Sequence, residues 1–97
     1  MKLRLSVRAR NELIAIADYF DERNPAAGAR IRKAIDNGLN TLLAFPQSGR
    51  PLKIEGVRKF VTQPYPYVIY YLIGEDADEL LVLSVCHPAR DRGLEQT

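Results

Sequence analysis

The 97-residue chain has one cysteine and one histidine, and no apolar stretch approaches the length of a membrane span. With Cys86 alone no intramolecular disulfide can form, which favours a reducing compartment. A zinc site needs about four ligands at close spacing. The adjacent pair Cys86-His87 cannot supply them, so neither a metal nor another cofactor is expected. The N-terminus, Met1-Lys2-Leu3-Arg4, starts basic and leads into no signal-peptide core. Internal repeats and low-complexity linkers are absent too. These absences lead to the expectation of one soluble domain over residues 1–97, cytoplasmic by default and without a membrane partner.

What is present is an ordinary globular composition, 46% apolar and 27% charged, which argues against disorder. The net charge of +2 says little, but its distribution says more. Lys2, Arg4, Arg8 and Arg10 come without an acid between them, and Arg50, Lys53, Arg58 and Lys59 surround Glu55 alone. Acids gather instead at Asp18, Asp21 and Glu22, and at Glu75, Asp76, Asp78 and Glu79. Segregated signs suit a basic face for nucleic acid or an acidic peptide; they equally suit solvated faces and loops.

Periodicity gives the elements. "KLRLS" alternates, so residues 2–6 read as a strand with Leu3 and Leu5 inward. Ser6 can cap a helix whose apolar face is Ala9, Leu13, Ile16, Ala17 and Phe20. Acids at its C-terminal end oppose the helix dipole, so it should fray near Arg23. Asn24 and Pro25 restart a helix at N-cap and first position. Its stripe is Ala27, Ile31, Ala34, Ile35, Leu39, Leu42 and Leu43, and Pro46 forces an end near Phe45. Residues 46–56 read as a loop. "VRKFVTQ" then alternates, with Val57, Lys59 and Val61 on one face and Arg58, Phe60 and Thr62 on the other. "YPYVIYYLI" reads as an interior strand, "GEDAD" as a hairpin turn and "ELLVLSVC" as the last strand. The fold class is therefore α+β in the order β-α-α-β-β-β: a helical hairpin on a largely antiparallel sheet that ends in a three-stranded meander. Tyr67, Ile69 and Tyr71 share one face of the interior strand, and Val68 and Tyr70 the other. The hairpin covers one face, and nothing else in the chain looks long enough to cover the second. That predicts an apolar surface awaiting a partner.

Several short motifs stand in a particular order. They are Ser6 with Ala9 at a helix start, "IADY" at 16–19, "NPAA" at 24–27, "LLAFPQSGR" at 42–50, Val57-Arg58, "YVIYY" at 67–71 and "HPARD" at 87–91. Together they resemble the RelE/ParE superfamily, the toxin halves of bacterial type II toxin–antitoxin modules, over essentially the whole chain. The closing "HPARD" is most similar to the ParE-type branch. The resemblance implies a growth-inhibiting protein that binds DNA gyrase. It also implies silencing by a cognate ParD-like antitoxin in a hetero-oligomer. Candidates for target contact are then Arg50, Arg58, His87, Arg90 and Arg92. Those for antitoxin contact are Leu13, Ile16, Phe20, Arg58, Tyr67 and Tyr71.

A ribosome-dependent messenger endonuclease of the RelE type is the alternative. Attack by a 2′-hydroxyl needs a base, an acid for the leaving oxygen and cations around the phosphate. Arg58, His87 and Arg90 would be its residues, with Arg50 a further cation. A second titrating group is missing: Leu52 stands after "GRP" where such relatives carry a glutamate, and no tyrosine follows Tyr71. For His87 the competing reading is a packing and hydrogen-bonding residue at a strand exit, with Arg90 and Asp91 tying the turn to the sheet. Cys86 reads as a small buried hydrophobe. The tyrosines at 65, 67, 70 and 71 suit either packing or base stacking. An inert interaction module that has lost toxicity is the third reading.

Overall fold

A computed structural model of the chain describes residues 1–74 and 78–94. Strand β1 (Lys2–Leu5) leads into helices α1 (Val7–Arg23) and α2 (Pro25–Ala44), followed by β2 (Arg50–Pro51), β3 (Val57–Val61), β4 (Val68–Ile73) and β5 (Glu79–Cys86). The sheet order is β1-β5-β4-β3-β2. β3, β4 and β5 form the expected antiparallel meander, and β1 joins β5 in parallel. The expected turn at 74–78 lies partly outside the described residues.

Local chemistry sets the helix ends. Ser6 Oγ accepts from the Ala9 N–H at 3.0 Å, which satisfies a donor the first turn leaves free. Asn24 closes α1 with its own N–H on the Phe20 carbonyl and opens α2 by accepting from the Ala27 N–H at 3.1 Å. One residue thus serves both caps and makes the hairpin tight. α2 buries Ile31, Ala34, Ile35, Leu39 and Leu42, the stripe its period predicts. Gly38 lies in that stripe because a Cβ there would stand 2.8 Å from Thr62 Cγ2.

The core lies between the hairpin and one sheet face, where Ile69, Tyr71, Leu80, Val82 and Val85 meet the α2 stripe and Ala9. In the β4–β5 ladder Tyr70 pairs with Ser84 but Tyr71 with Val82, which leaves Leu83 as a bulged residue.

Three expectations need correction. Leu3 and Leu5 are each 37% exposed rather than buried, because β1 is an edge strand of the sheet. The segment after α2 is not plain loop: Pro46–Ser48 makes a 3₁₀ turn and β2 pairs with β3. Tyr71 Oη donates to the Pro46 carbonyl at 2.6 Å and accepts from the Gly49 N–H at 2.9 Å, fixing that segment. Finally, the second sheet face is not bare. Val57, Val68 and Tyr70 are buried, and the segment after β5 closes over that face through Asp91. A strap of a few residues suffices because Tyr70 and Lys59 reach out to meet it.

Candidate functional site

β1 stops at Leu5, where Ser6 turns the chain into α1 by donating its N–H to Val82 O and its Oγ to Leu83 O. Beyond that point no strand among the described residues pairs with β5 on its β1 side. Glu12 takes over: its carboxylate accepts from Ser84 Oγ at 2.9 Å and from the Val85 N–H at 3.1 Å. Arg8 Nε stands 3.7 Å from the same carboxylate. A side chain thus satisfies backbone that a neighbouring strand would otherwise pair.

Beside this contact a groove of about 500 Å³ opens between α1 and the strap 87–93. Ile16, Phe20, Tyr67 and Val85 give it an apolar floor, and Arg8, Arg90 and Arg92 bring positive charge to its walls. The strap is anchored at both ends. His87 Nδ1 accepts from the Ala89 N–H at 3.0 Å, capping the 3₁₀ turn Pro88–Arg90. Its ring also stacks edge-on against Tyr67 at 5.6 Å. Asp91 accepts from Tyr70 Oη and from the Gly93 N–H, and sits 3.0 Å from Lys59 Nζ. Burial alone would raise the pKa of Asp91; the bonds from Tyr70, Gly93 and Lys59 outweigh it and hold the carboxyl below its usual range. Burial and the same hydrogen bond push the Tyr70 phenol well up.

The other reactive-looking group is quiet. Burial, with Asp91 and Glu12 nearby, raises the Cys86 thiol, so it stays protonated and poorly nucleophilic at neutral pH. Burial also raises the Tyr67 phenol, against the pull of Arg90.

The sequence candidates divide by position. Ile16, Phe20, Tyr67, His87, Arg90 and Arg92 all line the groove. Leu13 packs against the core instead. Tyr71, expected at the antitoxin surface, is fully buried and belongs to the core. Arg58 lies away from the groove, donating from Nη1 to the Gly49 carbonyl at 2.7 Å and to Gln47 O at 3.2 Å. Arg50 is exposed on β2, at the opposite edge from β1. The trio Arg58, His87 and Arg90 is therefore not gathered into one pocket. Of the two residues expected to tie the turn, Asp91 does so, while Arg90 is exposed and pairs with no carboxylate among the described residues. Glu12 escaped the sequence reading. Its signal is faint: an acid one residue before Leu13, on the side of α1 that faces β5.

The family description "ParE toxin of type II toxin-antitoxin system, parDE" matches residues 3–92. The chain belongs to the ParE toxin family. Y4kP of Sinorhizobium fredii, named as a candidate toxin, is 34% identical over 82 residues, covering 84% of this chain and 85% of that protein. Toxin RelE2 of Caulobacter vibrioides is 34% identical over 84 residues, covering 86% and 90%. Among solved structures, the chromosomal ParDE system of P. aeruginosa superposes with a TM-score of 0.73 at 22% identity, covering 90% of this chain and 95% of that one. The toxin–antitoxin complex RelBE of E. coli gives 0.66 at 16% identity, covering 92% and 98%. These likenesses establish the shared fold. As a member of the ParE family the chain is a toxin of a type II system, and no helix among the described residues is long and apolar enough to cross a membrane.

Proposed function

We propose that this toxin arrests growth by binding DNA gyrase and is silenced by a ParD-like antitoxin in a hetero-oligomer in the cytoplasm. The observation that carries the reading is the groove: an apolar floor with Arg8, Arg90 and Arg92 on its walls, and with the Glu12 and Asp91 carboxylates engaged by Ser84, Val85, Tyr70 and Lys59. Such a surface suits an acid-bearing antitoxin segment that orders on binding, with apolar anchors on Ile16, Phe20 and Tyr67 and carboxylates towards Arg90 and Arg92. The known structures with this fold include ParDE and RelBE complexes, which supports an antitoxin partner. The parDE family match supports the gyrase branch.

The likeness to Toxin RelE2 keeps messenger cleavage as the second reading. Against it, Arg58 donates to the Gly49 and Gln47 carbonyls and lies away from the groove that His87 and Arg90 line. Induction of the chain in a bacterium, with and without the small protein encoded beside it, tests the toxin–antitoxin reading. Growth arrest relieved by the neighbour is the expected result. High-level production that leaves growth unaffected would contradict it and favour an inert module.

A further inference from the structure

Asp91 stands between Arg90 and Arg92 in the chain, yet among the described residues its ion pair is with Lys59. Both arginines are exposed, and neither has a carboxylate within ion-pair distance among the described residues. Lys59 and Tyr70 are register partners on β3 and β4, so their side chains rise from one sheet face. On its other flank Lys59 is paired with Arg50 of β2, and like charges directly opposite each other weaken a sheet. Asp91 supplies the opposing charge. The side chains of Lys59 and Asp91 are 25% and 12% exposed, so solvent screens this pair less than the other ion pairs of the described residues. Tyr70 is 4% exposed and donates its hydroxyl to the same carboxylate. Burial and that bond keep the phenol protonated, so it remains a donor at any physiological pH.

We propose that Tyr70 and Lys59 are positioning residues for toxicity: by holding the Asp91 carboxylate they fix the strap and leave Arg90 and Arg92 uncompensated for an acidic surface of the target. The chemistry is a competition for one anion. A carboxylate released from the sheet lies one residue from two guanidiniums and would pair with them, cancelling charge that the strap otherwise offers. Exposed ion pairs are weak, whereas charge-assisted bonds from half-buried and buried donors are strong, so the sheet wins Asp91 from the arginines. The inference rests on the reading of this chain as a toxin that works by contact with its target. It holds whether or not that target is gyrase.

The test compares two adjacent tyrosines in the full chain. Tyr70→Phe and Tyr71→Phe each delete a hydroxyl that is hydrogen-bonded in the fold, but only Tyr70 touches the strap. Potency is read as the cellular amount of folded toxin that halves the growth rate, beside the melting temperature of each purified variant. Tyr70→Phe should need about tenfold more protein than wild type. Tyr71→Phe should need the wild-type amount although its melting temperature falls. Asp91→Asn adds a test of sign. It makes the chain more positive, so a role in the overall field alone would strengthen contact with an acidic target. The clasp predicts a weaker toxin instead. Should Asp91→Asn not fold, Lys59→Met serves, with potency lost as in Tyr70→Phe and retained in Lys59→Arg. Equal potency of Tyr70→Phe and wild type would overturn the inference. So would a more toxic Asp91→Asn, or potency that simply follows melting temperature in both tyrosine variants. A wild-type chain that never arrests growth would sink the toxin reading and this inference with it, whereas equal potencies sink the clasp alone.

Discussion

The Asp91 carboxylate lies 3.0 Å from the Lys59 ammonium, joining the strap after β5 to the sheet face away from the helices. Tyr70 Oη donates to the same carboxylate, so one side chain fastens the segment that carries Arg90 and Arg92.

Asp91→Asn should therefore lower stability at neutral pH by about 1.5–3 kcal/mol, the range for hydrogen bonds to a charged group. The folded carboxyl titrates below its ordinary value, so its contribution is complete above about pH 4 and is lost as pH falls through the lowered folded value. Urea titrations of both proteins at neutral pH and near pH 3 check this. The gap should narrow in acid; a gap that widens there would contradict the sign.

Ile35 is 3% exposed at the centre of the α2 stripe. Ile35→Ala should cost about 2–5 kcal/mol in the same titration. A loss well under one kcal/mol would show that this position collapses around the deletion or carries little of the packing.

Tyr71→Phe deletes a hydroxyl that serves both Pro46 O and the Gly49 N–H. The buried Gly49 N–H and the half-buried Pro46 carbonyl would lose their partner, so stability should fall by about 1–3 kcal/mol. Antitoxin affinity of the folded variant should stay unchanged, since Tyr71 presents no surface.

Most of the architecture was legible in local chemistry. Ser6, Asn24 and Pro46 mark helix ends in a way few other residues do, and the Ile31–Leu42 stripe has one helical period. Where the reading failed, the cause was non-local. Leu3 and Leu5 alternate like buried positions, yet their exposure depends on β1 ending the sheet, which periodicity does not encode. The covering of the second face depends on Asp91 meeting Lys59 and Tyr70 across a turn, a contact between residues far apart in the chain. Tyr67 and Tyr71 share a strand face in sequence terms, but Tyr71 lies under the loop at Pro46 while Tyr67 borders the groove. The groove itself was partly visible: Ile16 and Phe20 are one helical turn apart, and "HPAR" places basic side chains just beyond a strand end. Glu12 gave no comparable signal, because an acid on a helix reads as solvated until the free edge of β5 is seen beside it.

His87 and Arg90 separate the two activities. His87→Gln should keep toxicity, because the residue caps a turn and stacks on Tyr67. Were His87 a proton carrier, the change would cost about 10²–10⁴-fold in cleavage with folding intact. Arg90→Ala should abolish toxicity at an unchanged melting temperature, since the side chain is exposed and unpaired with any described carboxylate. Growth assays alongside thermal melts read both outcomes.

The central claim is inhibition by binding gyrase, and it is tested most directly by plasmid supercoiling. Purified chain added to DNA gyrase, relaxed plasmid and ATP should block supercoiling, and Arg90→Ala should restore it. Supercoiling that proceeds unhindered, while the same preparation cleaves messenger on ribosomes, would contradict the account and move the chain to the nuclease branch.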